Sequence, residues 1–130
     1  MNFASVRIIT DDIRRLVSFY EAVTGLTAAW RTPEFAEITI DTFTYAFSST
    51  TAIQRFQPGA GARPGANQSV ILELRVADVD ADYRRIASHI DTPVQEPTTM
   101  PWGNRSLLFR DPDGNLVNLF TPVAPRPASL

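Results

Sequence analysis

The sequence predicts an α+β fold made of two copies of a βαβββ unit. Three observations carry that prediction. A shift of 66 residues lays the first half on the second, placing Asp12 on Asp78, Ile13 on Val79, Val17 on Tyr83 and Tyr20 on Ile86. Each half then runs from an alternating strand, through an aspartate suited to cap a helix, into an amphipathic segment and three β-rich stretches. The second half closes on a stretch that reads as strand, tight turn and strand, from Leu107 through Asp111-Pro112-Asp113-Gly114-Asn115 to Phe120. Proline presets one turn dihedral, glycine supplies the positive φ, and the Asp and Asn side chains bond to local backbone.

The first strand is read over Phe3 to Thr10, with Val6 and Ile8 on one face and Ser5, Arg7 and Ile9 on the other. Asp11-Asp12 ends it and caps a helix from about Ile13 to Val23, whose Ile13, Leu16, Val17 and Tyr20 recur at helical spacing and which Gly25 stops. Thr27 to Arg31, Phe35 to Asp41 and Thr42 to Ser48 are rich in β-formers. Residues 57–67, dominated by Gly, Pro and Ala, hold nothing from which a core can be built and read as a linker. The pattern then returns: a strand over Val70 to Val76, Asp78 as N-cap, a helix face of Val79, Tyr83, Ile86 and Ile90, and strands at Pro93 to Gln95, Arg105 to Arg110 and Leu116 to Phe120. The domain is therefore expected over residues 1–124, with modules of about 1–56 and 68–122. Prolines 122, 125 and 127 mark an extended end from Thr121, with a flexible tail over 125–130.

A chain of 130 residues with 44% apolar and 20% charged content fits a single soluble globular domain. A net charge of −2 supplies no attraction for nucleic acid or for an anionic membrane. All the basic residues are arginine, so Schiff-base lysine chemistry is excluded. Without cysteine there is no disulfide, thiolate nucleophile or thiolate metal site. Met1-Asn2-Phe3 leads straight into a strand with no basic segment or long apolar run, so a cytoplasmic protein without a signal peptide or membrane span is expected.

The run Val6-Arg7-Ile8-Ile9-Thr10-Asp11-Asp12, then Ser18-Phe19-Tyr20 and Gly25-Leu26, resembles the opening of the glyoxalase/bleomycin-resistance/extradiol-dioxygenase superfamily. Val76-Ala77-Asp78-Val79-Asp80, Pro101-Trp102-Gly103 with Arg105, and the Asp-Pro-Asp-Gly-Asn turn extend the resemblance over roughly residues 3 to 122. The resemblance implies curved sheets around a cleft and a homodimer. It also implies where a metal would sit in the family's enzymes: at a His seven residues before the strand-ending Asp and a Glu three residues after the Asn of the turn. Here those positions are Ser5 and Ile71, and Asn118, with Tyr45 as the rough counterpart of Asn118 in the first half. Ser, Ile, Asn and Tyr cannot stand in for a His/carboxylate set around a dication. No metal and no cofactor are expected, which points to the branch resembling bleomycin-resistance proteins. The lone histidine, His89, late in the second helix, reads as a surface residue.

The alternation sends Arg7 and Glu73 to the sheet faces away from the helices, either as a structural ion pair or as ligand contacts, with Glu73 the candidate proton-transfer base. Asn118, set between Leu116 and Phe120, is the polar residue on its face. Arg105 either tethers the turn region or touches ligand. Trp30, Phe43, Tyr45, Phe47, Trp102 and Phe120 lie on or beside strands expected to line the cleft, and together suggest a pocket for an apolar or aromatic molecule. The expected site is Ser5, Arg7, Trp30, Tyr45, Phe47, Glu73, Trp102, Arg105 and Asn118. Two functions follow: sequestration of a small organic ligand, as in antibiotic resistance, or a lyase, isomerase or dioxygenase-type reaction using Glu73 with Arg7 or Arg105. Neither nucleic acid nor membrane is an expected partner.

Overall fold

A computed structural model of the chain describes residues 1–123. The chain divides into two compact units, Met1–Asn67 and Gln68–Leu130. The first holds β1 (Ser5–Thr10), α1 (Ile13–Thr24), β2 (Ala29–Thr32), β3 (Phe35–Ile40), β4 (Phe43–Ser49) and α2 (Thr50–Phe56). The second holds β5 (Ile71–Arg75), α3 (Val79–Ile86), β6 (Gln95–Thr99), β7 (Asn104–Arg110) and β8 (Leu116–Pro122). Each unit carries a four-stranded sheet of the same plan, β1-β4-β3-β2 and β5-β8-β7-β6. In each, the opening strand runs parallel to the closing one and the other pairings are antiparallel. The duplicated βαβββ architecture is thus present in both halves, with Asp12 and Asp78 at equivalent strand-to-helix junctions.

Those junctions are built alike. Asp12 accepts the Arg15 amide at 3.1 Å and Asp78 accepts the Ala81 amide at 3.1 Å, each relieving an orphan donor of the first helical turn. Gly25, at φ 72°, closes α1 by donating its amide to the Glu21 carbonyl. In the first unit, α1 packs Leu16, Val17 and Tyr20 on the sheet, and Tyr20 lies 5.0 Å from the ring of Tyr45 and 5.4 Å from that of Phe47. In the second, Val79 and Ile86 of α3 are buried together with Leu107, Phe109, Val117 and Leu119. One face of each sheet is therefore taken by its helix.

Several details differ from the sequence expectation. Residues Thr50–Phe56, expected simply to end the first module, form α2, capped by Ser49 accepting the Ala52 amide at 3.0 Å. The second strand of the second half lies at Gln95–Thr99 instead of Pro93 to Gln95. Pro97 disguises it: β6 is an edge strand with a register irregularity between Gln95 and Thr98, the setting in which a strand tolerates a residue without an amide N–H. The helix α3 gives way after Ile86 to a 3₁₀ turn over Ala87–His89, which leaves Ile90 outside the helix and His89 exposed. Thr121 and Pro122, expected in an extended tail, are the last residues of β8, and the tail expected over 125–130 lies outside the described residues.

The turn after β7 forms as its residues dictate. Asp111 is buried; its Oδ1 accepts the amides of Asp113 and Asn115 and its Oδ2 accepts Asn115 Nδ2, all at 2.9 Å. Gly114 sits at φ 86° and donates to the Asp111 carbonyl. This knot sets where β8 begins, and with it which side chains of β8 share a face with those of β5.

Candidate functional site

Parallel pairing of β5 with β8 puts Glu73 directly beside Asn118, and antiparallel pairing of β7 with β8 puts Leu108 on the other side of Asn118. Because Leu72, Val117, Leu119 and Phe109 turn into the helix-covered core, Glu73, Asn118 and Leu108 stand on the opposite face. Ile71, Leu116 and Phe120 complete that face, all of them partly exposed. The result is a sheet face with an apolar middle around one amide and one carboxylate, and with Arg75, Arg110 and Ser106 on the same face.

Asn118 Nδ2 donates to Glu73 Oε2 at 2.8 Å. A carboxylate only accepts, so the amide nitrogen must face Glu73 and the amide oxygen must face away from it. Asn118 is only 9% exposed. Its Oδ1 is buried and has no hydrogen-bond partner among the described residues. Leaving such an acceptor unsatisfied costs about 1–3 kcal/mol, a cost that fold stability alone does not explain.

In the first unit the corresponding face carries Ser5, Arg7, Phe35, Glu37, Ala46 and Ser48, because Phe43, Tyr45 and Phe47 turn toward α1. Arg7 NH2 donates to Gln57 Oε1 at 2.6 Å. Arg7 and Gln57 line a groove of about 560 Å³ together with Phe35, Ser48, Arg55 and Phe56. Gln57, just past α2, was invisible as a site residue in the sequence, since α2 itself carries little periodic signal.

Several expected site residues lie elsewhere. Tyr45 and Phe47 are fully buried against Tyr20 and belong to the helix–sheet core of the first unit, not to a ligand wall. Phe43 turns the same way, its ring 5.9 Å from that of Tyr45. Consequently Tyr45 is not the counterpart of Asn118: Glu73 pairs with Asn118 as Arg7 pairs with Ala46, so the equivalent position is Ala46. Trp30, 44% exposed, lines a groove of about 660 Å³ beside α1 with Arg14, Val17 and Glu21, on the helix side of its sheet. Arg105 also points to the helix side, where Nε and NH2 reach the Asp80 carboxylate at 2.8 and 3.1 Å and NH1 reaches Thr99 Oγ1 at 3.3 Å. It tethers β7 to the first turn of α3, and its hydrogen bond holds the Asp80 carboxyl below the usual aspartate value. Trp102 sits in the turn between β6 and β7 and is 57% exposed. Ser5, Arg7, Glu73 and Asn118 keep the sheet faces that alternation assigns them.

A sheet repeated twice on this plan, with capped helices at equivalent junctions, defines a glyoxalase-type α+β protein. Residues 2–119 match the model of the Glyoxalase/Bleomycin resistance protein/Dioxygenase superfamily, and the chain belongs to that family. It is 26% identical over 125 residues to the uncharacterized protein YraH of Bacillus subtilis (strain 168), spanning 92% of this chain and 98% of that protein. A glyoxalase/bleomycin resistance protein/dioxygenase from Nocardioides is similar in structure with a TM-score of 0.81 at 21% identity, over 100% of this chain and 89% of that one. A family enzyme from Burkholderia phytofirmans PsJN gives a TM-score of 0.79 at 20% identity, over 91% and 96% of the two chains. At these identities the two structures attest the fold.

The family's enzymes imply a divalent metal, and the residues present do not fit one. The register places Ser5, Ala46, Ile71 and Asn118 at the four strand positions concerned. A hydroxyl, a methyl, a branched alkyl group and a neutral amide offer no imidazole and no anion. Among the described residues no group of three or more His, Cys, Asp or Glu is placed to share an ion. None of the described helices is long and apolar enough to cross a membrane.

Proposed function

We propose that this protein is a metal-independent small-molecule-binding member of the family, of the bleomycin-resistance type, which sequesters an apolar or aromatic ligand in the cytoplasm and works as a homodimer. The observation that carries the reading is the chemistry of the sheet faces turned away from the helices. Where a catalytic ion would need imidazole and carboxylate, the first sheet offers Ser5 and Ala46, and the second offers Ile71 and Asn118 among partly exposed Leu116, Leu108 and Phe120. Burying such a surface against a ligand is favourable at about 25 cal/mol per Å². The dimer is supported by the edge strands of both sheets, which call for a partner or a cover.

A second reading is favoured by one feature, the Glu73 carboxylate. It is held through one oxygen by Asn118 and is exposed on the same face, placed to move a proton in a lyase, isomerase or dioxygenase-type reaction. Native mass spectrometry of the protein purified from cells tests the first reading: the expected spectrum is a dimer carrying an organic adduct. A monomer with no adduct, from cells or after incubation with an extract of small molecules, overturns it. Glu73→Gln separates the two readings. A binding protein has no turnover to lose and changes only in affinity, whereas an enzyme that uses the carboxylate as its base still binds and loses turnover.

A further inference from the structure

The ligand's chemistry can be read from the acceptors left open on the second sheet. Asn118 Oδ1 is buried without a partner among the described residues, and its direction is set because Nδ2 is committed to Glu73 Oε2. Glu73 is exposed, and Oε2 is the oxygen it commits to Asn118. The pair thus holds two oxygens that only accept, one neutral and buried and one anionic and exposed, on adjacent strands. Ile71, Leu108, Leu116 and Phe120 surround them. An apolar ligand with no polar group would leave Oδ1 unsatisfied, and a carboxylate ligand would meet two acceptors and a negative charge. Arg75 and Arg110 share this face by alternation; the Arg110 guanidinium is engaged with the Gly114 carbonyl at 3.0 Å, and a carboxylate drawn to Arg75, beside Phe120, would still leave Asn118 Oδ1 unsatisfied.

Building on the binding reading above, we infer that the Asn118–Glu73 pair recognises a nitrogen donor with at least two N–H groups, an ammonium, amidinium or primary amide, carried on an apolar body. One N–H satisfies Asn118 Oδ1 and a second meets the Glu73 carboxylate, while the body covers Leu108, Leu116 and Phe120. Glu73 then serves as an electrostatic anchor that Asn118 positions.

Three probes of similar bulk test this by calorimetry on the full chain: 4-phenylbutylamine, 4-phenylbutanol and 4-phenylbutyrate. The amine is expected to bind more tightly than the alcohol and the carboxylate least of all. Asn118→Leu and Glu73→Gln should each weaken the amine about tenfold or more while leaving the alcohol within about twofold. Retained alcohol binding in both variants shows that the loss of amine binding is not misfolding. Equal affinity for the amine in wild type and Asn118→Leu overturns the inference, as does a preference for the carboxylate. In either case binding of the alcohol would still uphold the broader binding function. Failure of all three to bind overturns the inference, and the adduct seen or not seen in native mass spectra then decides the broader function separately.

Discussion

At the scale of single residues, Asn118 is where this protein departs from what folding alone would choose. A leucine, branched at the same atom though larger, would suit the apolar neighbours Leu108, Leu116 and Phe120 and would leave no orphan acceptor. Asn118→Leu is therefore expected to hold or raise the urea midpoint, with a gain of about 0–2 kcal/mol. A loss beyond about 2 kcal/mol would mean that Oδ1 is satisfied in solution and that the residue is structural. Arg105 is the contrasting case, a residue whose purpose lies in the fold. Its hydrogen bond lowers the folded-state pKa of Asp80 below 3.8, so the contribution is present above the ordinary aspartate range and is lost as pH falls through the lowered folded value. Arg105→Met should abolish that part of the acid dependence: below about pH 4 its urea midpoint falls less steeply than that of the wild type. Both partners are substantially solvent-exposed, so the effect at neutral pH is expected to be small.

At the scale of elements, β4 decides what the first sheet offers. Phe43, Tyr45 and Phe47 alternate with Thr44, Ala46 and Ser48, and α1 presents Leu16, Val17 and Tyr20 to be covered. The aromatic row must take the helix side because nothing else on that strand is large enough to fill the space under Tyr20. Phe47→Ala is expected to cost about 3–5 kcal/mol in denaturant unfolding; a cost under about 1 kcal/mol would show that the ring is not packed under α1. That phase was legible in the alternation itself, and only the supposed equivalence of Tyr45 with Asn118 argued against it. Elsewhere the alternation was sufficient: it assigned Arg7, Glu73 and Asn118 to their faces, and the Asp111 turn was readable to the residue. Two elements resisted reading. Pro97 masks β6, since a proline counts against a strand until the strand is known to lie at an edge. The seven residues of α2 are too few for helical periodicity to emerge, so Gln57 and its bond to Arg7 went unseen. The hydrogen bond of Asn118 to Glu73 was hidden for a different reason: it depends on register between strands that are 45 residues apart in sequence.

For the whole molecule, the question is whether duplicated sheets with this side-chain content retain the family's affinity for metal. Each unit contributes the sheet face opposite its longer helix, and the strand positions at issue hold no imidazole or carboxylate. Of the carboxylates beside them, Glu73 already holds the Asn118 amide and Glu37 is paired with Arg31 at 2.6 Å, and the single histidine, His89, lies in the 3₁₀ turn after α3. An ion bound at a concentration 100-fold above its Kd would add about 2.7 kcal/mol to stability. For a chain of 130 residues that corresponds to a rise in Tm of several degrees, well within calorimetric resolution. Zinc, nickel, manganese and ferrous iron, each added in slight excess to the chelator-treated protein, are accordingly expected to leave Tm unchanged. A shift that disappears in His89→Gln would report adventitious binding at an exposed imidazole and would leave the expectation intact. A shift of several degrees that persists in His89→Gln and is reversed by chelator would overturn it, because the ion would then be held by a donor set that the strand register does not supply.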